Sequence, residues 1–325
     1  RYYATIARAA LWPQPRAEAP AYAVWAVRIF VPATAAMVVL LAKWGLAWPL
    51  GILFVAGMML MFLVIARMNA ECGVFFYAPY WTVAGVLVGT FGLEAVGPQG
   101  LVVLGLAGAM LMAGPYESLI PFVTNALRIS DRFGVRPGRA GVSMGGAWVL
   151  GLALTIPVVI WCSYDAGTSG ADYAGFARRS FDGAIHLATA AGTTGELAHS
   201  EALSPLGRIA AMQINKQFWI AAAIGTGLVL LLGHLRLRFT WWPLHPVVLL
   251  GLASGRIGAM SFSFLVGWAL KVLVTRFWGG KGYQQVKVAM IGVIAGEVLA
   301  GIGFWAGNYI AYEITDMAWL WYVPW

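Results

Sequence analysis

The sequence predicts an all-α, polytopic transmembrane helix bundle of about seven full spans plus one re-entrant or broken helix pair. Three observations carry this. Of the 325 residues, 61% are hydrophobic and only 10% are charged, against about 25% charged in a soluble domain. The apolar runs reach the ~20 residues that a helix needs to cross a bilayer, and charges fall at their ends or at single interior points. The 40 glycines suit close helix packing in lipid. A single transmembrane domain over residues 1–325 follows.

Residues 1–20 read as an interfacial segment. Arg1, Arg8 and Arg16 are charged there, and Tyr2, Tyr3 and Trp12 suit a headgroup region. An amphipathic surface helix is expected over residues 3–12. The first span runs from Ala21 to Leu41, with Pro32 inside it and Arg28 snorkelling or facing another helix. The second runs from Trp48 to Ala66, has no polar residue, and faces lipid or packs plainly. Arg67 and Glu71 follow, four apart, so a helix puts them on one face where they can pair.

The third span is expected over Val74–Gly92 and the fourth over Gly100–Met112. Gly114-Pro115 then kinks a helix that continues to Leu127. Residues 128–139, RISDRFGVRPGR, form an arginine-rich loop, which places them on the cytoplasmic side. A fifth span covers Gly141–Trp161, and residues 162–208 form a long extracytoplasmic loop. A sixth runs from Ile209 to Leu232 and ends in the basic run HLRLRF. The last long helix covers Val286–Ala311, and the acidic, aromatic tail YEITDMAWLWYVPW forms a belt on the far side.

Residues 245–270 are the candidate broken pair. Basic residues precede this stretch (Arg236, Arg238) and follow it (Lys271, Arg276), and two positive clusters face one side of a membrane. Its 26 residues are long for one span and short for two. Two half-helices meeting near Gly255-Arg256 fit both facts, and broken helices mark substrate sites in transporters. One tilted helix is the alternative.

The charges and amides placed in lipid are the substrate and coupling candidates. Glu297 lies near the middle of the last span, where a carboxylate must pair, protonate or face a cavity. It couples transport to protons or makes a structural hydrogen bond. Arg256 binds an anionic group, or contacts a headgroup or an acid such as Glu297 or Glu71. Lys216, Gln213, Gln217, Ser261, Ser263 and Asn308 line the same polar path, each as a weak signal. His245 sits between Pro243 and Pro246 as a ligand, a proton relay or a helix cap.

No catalytic residue, cofactor or metal is expected. Cys72 and Cys162 lack a CxxC partner or a histidine cluster, and no HExxH, GxSxG, P-loop or GxGxxG pattern occurs in context. The net charge of +8 is dispersed among short loops, which reads as topology and anionic lipid rather than nucleic acid. The chain begins with Arg rather than Met, so a longer protein or a processed one is expected.

The strings WWPLHPV (Trp241–Val247), FLVGWALKVLVTRFWGGKGYQQVK (Phe264–Lys287) and GVIAGEVLAG (Gly292–Gly301) resemble a family of uncharacterised bacterial polytopic membrane proteins. That family is distantly similar to the oligopeptide transporter superfamily. RMNAECG (Arg67–Gly73) resembles an Arg/Glu-Gly motif of such proteins. The resemblance implies a transporter-like fold with paired short helices, and a chain similar to the C-terminal half of an oligopeptide transporter. A second half, self-association or other membrane subunits would then complete it. Glu71, His245 and Glu297 match the places where the resemblance directs attention.

Two functions are therefore expected to compete. One is secondary transport of a small peptide-like or chelate solute, proton-coupled, in the bacterial inner membrane. The other is a non-catalytic structural subunit of a larger membrane complex.

Overall fold

The computed structural model describes residues 2–11, 20–73, 77, 79, 81–112, 119–165, 181–182, 185–186, 189, 192–193, 203–212, 215–242, 244–252 and 254–315. Among these the chain is α-helical, with one isolated bridge between Pro79 and Ser254. It forms two units, Arg1–Gly258 and Ala259–Trp325.

In the first unit, α1 (Tyr2–Leu11) is a short helix with Ile6 and Ala9 buried. Arg28 of α2 (Ala21–Lys43) donates from Nε to Ala10 O at 3.2 Å and lies 5.4 Å from the Trp25 ring centroid. Its charge is thus spread over a carbonyl and an aromatic face instead of lipid.

The central element is α3 (Trp48–Cys72). Leu50, Phe54, Met58, Met61, Ile65 and Met68 recur at spacings of three and four and are all buried. In its most apolar stretch 44% of residues are buried, against 0% in α7 and α9 below. The helix runs six residues past the expected end at Ala66, because nothing interrupts it before Gly73. Gly73 takes φ 69°, the left-handed conformation that closes a helix and that glycine adopts without strain.

The next helix is shorter than expected, and the one after it starts two residues earlier than expected. Thr82 caps α4 (Val83–Val96) by accepting from Gly85 N at 3.1 Å, so the helix starts nine residues after Val74. Residues 74–76, 78 and 80 lie outside the described ones. A turn at Gly97 leads to α5 (Pro98–Met112). The 14 residues of α4, broken at Gly92 (φ 81°), and the 15 of α5, about 22 Å, fall short of a ~30 Å hydrocarbon layer. The expected kink at Gly114-Pro115 lies outside the described residues.

Then α6 (Leu119–Arg132) takes in the first five residues of the stretch read as a loop, leaving a turn before α7 (Pro137–Asp165). Residues 162–208 are described only in part: α7 runs through them to Asp165, and the short α8 (Gly207–Ala210) begins at their end. Asn215 caps α9 (Lys216–Arg238), accepting from Gln217 N and Phe218 N at 3.1 and 3.3 Å. The span expected from Ile209 therefore begins seven residues later.

The expected half-helix pair takes a different form. There are two very short helices, α10 (Val247–Leu252) and α11 (Gly255–Ala259), and the chain then enters α12 (Ser261–Thr315) with no second break near Leu270. This element covers 55 residues and makes up most of the second unit. Gly279, at φ 63° and ψ −163°, divides it. Lys271 Nζ and the Tyr283 ring, on opposite sides of the break, come within 6.0 Å.

Among the described residues, five helices (α2, α3, α7, α9 and α12) are long and apolar enough to cross a membrane, and α4 and α5 are shorter apolar helices. That is compatible with a membrane-embedded protein. In lipid, helices gain little from hydrophobic transfer against one another, so close packing and interhelical hydrogen bonds hold them. Two contacts on α3 do this. A methyl group at Gly57 would stand 2.6 Å from Val83 Cγ1, so glycine is what lets α4 approach. Buried Asn69 donates from Nδ2 to Pro121 O and Asn125 Oδ1, both at 3.1 Å, and ties α6 to the end of α3.

Candidate functional site

The last turns of α3 and α9 and the start of α10 enclose a cleft of about 590 Å³. Val64 and Met68 form its wall on α3, Val229, Leu230 and Leu237 on α9, and Val247 and Leu250 on α10. Four titratable side chains line this apolar surface: Arg67, Glu71, His234 and His245. A mostly apolar recess with a few polar groups converging on it is the usual form of a small-molecule site.

Arg67 Nε and Glu71 Oε1 are 2.7 Å apart. Both are partly open to solvent, with 76% and 38% of their side chains exposed. The pair adds little stability, because an exposed ion pair contributes only about 0–1 kcal/mol. Its order is also the weaker one, since an acid N-terminal to its base is favoured on a helix. Glu71 further stands in the last turn, where the helix dipole disfavours a carboxylate. Helix stability thus gives no reason for an acid at this position. The remaining guanidinium N–H groups of Arg67 have no partner among the described residues, so the fork stays open to a carboxylate or phosphate.

His245 has a defined orientation. Its Nδ1 accepts the backbone N–H of Val247 at 3.1 Å. An accepting Nδ1 carries no proton, so the neutral ring holds its proton on Nε2. Protonation at Nδ1 would set one N–H against another and remove the first restraint on α10. His234 is exposed.

The cleft brings together three of the sequence-derived candidates, Arg67, Glu71 and His245. It does not include Lys216 or Gln217. These lie in the first turn of α9, 18 residues and about 27 Å from His234. Glu297 is exposed and Asn308 half-buried on α12, in the second unit. Gln213 and the side chain of Arg256 lie outside the described residues. His234 was not among the candidates. Its signal was present in HLRLRF, where His234 lies four residues before Arg238, but only the fold sets it beside His245.

Among the described residues no group of three or more His, Cys, Asp or Glu is arranged to hold a metal ion. No curated protein and no solved structure matches the chain, and these comparisons show no link to the oligopeptide transporter superfamily. One family model matches residues 1–318, and the chain accordingly belongs to that family, a family of unknown function (DUF6785).

Proposed function

We propose that the chain is a secondary transporter-like membrane protein and that the cleft between α3, α9 and α10 receives its solute. The single observation that carries this is the convergence of Arg67, Glu71, His234 and His245 on one apolar recess. Charged and ionisable groups are costly near lipid and mark solute or proton paths. The solute is small and peptide-like or a chelate, in keeping with the resemblance to oligopeptide transporters. Its anionic group meets the open guanidinium fork of Arg67. Proton exchange at His245 and Glu71 accompanies its movement, and loss of the Val247 contact loosens α10.

The reading includes a bacterial inner membrane, with residues 128–139 cytoplasmic and residues 162–208 outside. Support comes from the cleft itself, which sets the C-terminal ends of α3 and α9 at one level, and from the Asn69 clasp, which brings α6 to the same level. Both fit basic segments on one face.

A second reading, a structural subunit of a membrane complex, is favoured by the bare apolar faces of α7, α9 and α12. Proteoliposomes holding a pH-sensitive dye decide between the two. A proton gradient with external dipeptides is expected to give solute-dependent acidification that Glu71→Gln reduces at least tenfold. Equal acidification with empty liposomes would leave the subunit reading.

A further inference from the structure

The geometry points to α6 and the turn after it as an in-plane anchor for anionic phospholipid. Leu119, Phe122, Ala126, Ile129 and Phe133 are spaced 3, 4, 3 and 4 residues apart, which makes one continuous stripe on a helix. Phe122 is 55% exposed, Ile129 56% and Phe133 81%. Pro121 and Asn125, which meet Asn69 of α3, lie along one flank of the stripe. Leu119, Phe122, Ile129 and Phe133 stay exposed beside that clasp.

The charge at the end of the stripe decides what covers it. Arg128, Arg132, Arg136 and Arg139 are all exposed, within twelve residues. Only Asp131 opposes them locally, 3.7 Å from Arg128, and the other three arginines have no acidic partner among the described residues. Stripe spacing of this kind also fits a partner helix. A second copy docking on this face by two-fold symmetry would bring four arginines against four more. A leaflet rich in anionic headgroups supplies the complementary charge and also takes the apolar stripe at the acyl boundary. Phosphodiester oxygens match the guanidinium fork. The inference does not depend on what the cleft does.

The test is native mass spectrometry of the full chain released from vesicles of phosphatidylglycerol and phosphatidylcholine at 3:7. Each arginine near an anionic surface adds roughly fivefold to binding. The wild-type chain is expected to retain phosphatidylglycerol over phosphatidylcholine, less so as salt rises. Replacing all four arginines by glutamine is expected to cut that retention at least tenfold, and replacing them by lysine to preserve most of it. The lysine variant guards against a loss caused by misfolding. Retention that is the same for the glutamine variant, or a dimer that Phe122→Ala/Phe133→Ala dissociates without any bound anionic lipid, would overturn the inference.

Discussion

Arg67 and Glu71 meet at 2.7 Å in the last turns of α3, with the acid on the C-terminal side of the base. The order is the less favourable one for a helix. The pair is therefore expected to be dispensable for folding. Arg67→Gln and Glu71→Gln should each change stability by less than about 1 kcal/mol, read as the midpoint of thermal unfolding in mild detergent. A loss several times larger would mean that the pair holds the bundle together, and would remove the argument that it serves a ligand.

His245 is expected to act on α10 through its cap. His245→Ala removes the acceptor for Val247 N–H and should cost about 1 kcal/mol locally. His245→Asn supplies an oxygen that can accept the same bond and should restore most of it. Hydrogen exchange of the amides of residues 247–252 reads this directly. Faster exchange in the alanine variant alone is the expected result, and unchanged exchange in both would show that the cap does not restrain α10.

Asn69 holds α3 to α6 through two hydrogen bonds of 3.1 Å from one amide nitrogen. Interhelical hydrogen bonds in membranes average about 0.6 kcal/mol with a ceiling of ~1.7. Asn69→Ala should therefore destabilise by about 1–2 kcal/mol. Asn125→Ala should cost less, because the Pro121 carbonyl still accepts.

Gly57 and Val83 form a size-matched contact. Gly57→Ala places a methyl 2.6 Å from Val83 Cγ1 and should cost about 1–3 kcal/mol by overpacking. Val83→Ala vacates that space, so the double variant should recover part of the loss. Simple additivity of the two changes would show that α4 shifts rather than that the side chains collide.

Much of the helix content was legible in the sequence, because long apolar runs have few alternatives. The ends of α2 agree with the sequence to within two residues. The start of α4 does not, since an apolar stretch before Thr82 gives no sign that the helix waits for its cap. The nature of α6 was also hidden. Its arginines read as a loop by composition, while its stripe and polar face show only when residues 119–132 are set on one helix. Within the cleft, Arg67 and Glu71 were legible because four-residue spacing is local. Their meeting with His234 and His245 was not, because it depends on the fold bringing the ends of α3, α9 and α10 to one cleft. Lys216 and Gln217 were grouped with the same path on chemistry alone, and helix length separates them from it.

The central claim is that the cleft residues work as one unit. Proton flux in dye-loaded proteoliposomes, measured for Glu71→Gln, His245→Asn and the double variant, tests it most directly. Groups serving one step are not additive. The account predicts that each single variant slows solute-dependent flux at least tenfold and that the double variant is no slower than the slower single. Wild-type flux in both single variants would contradict it.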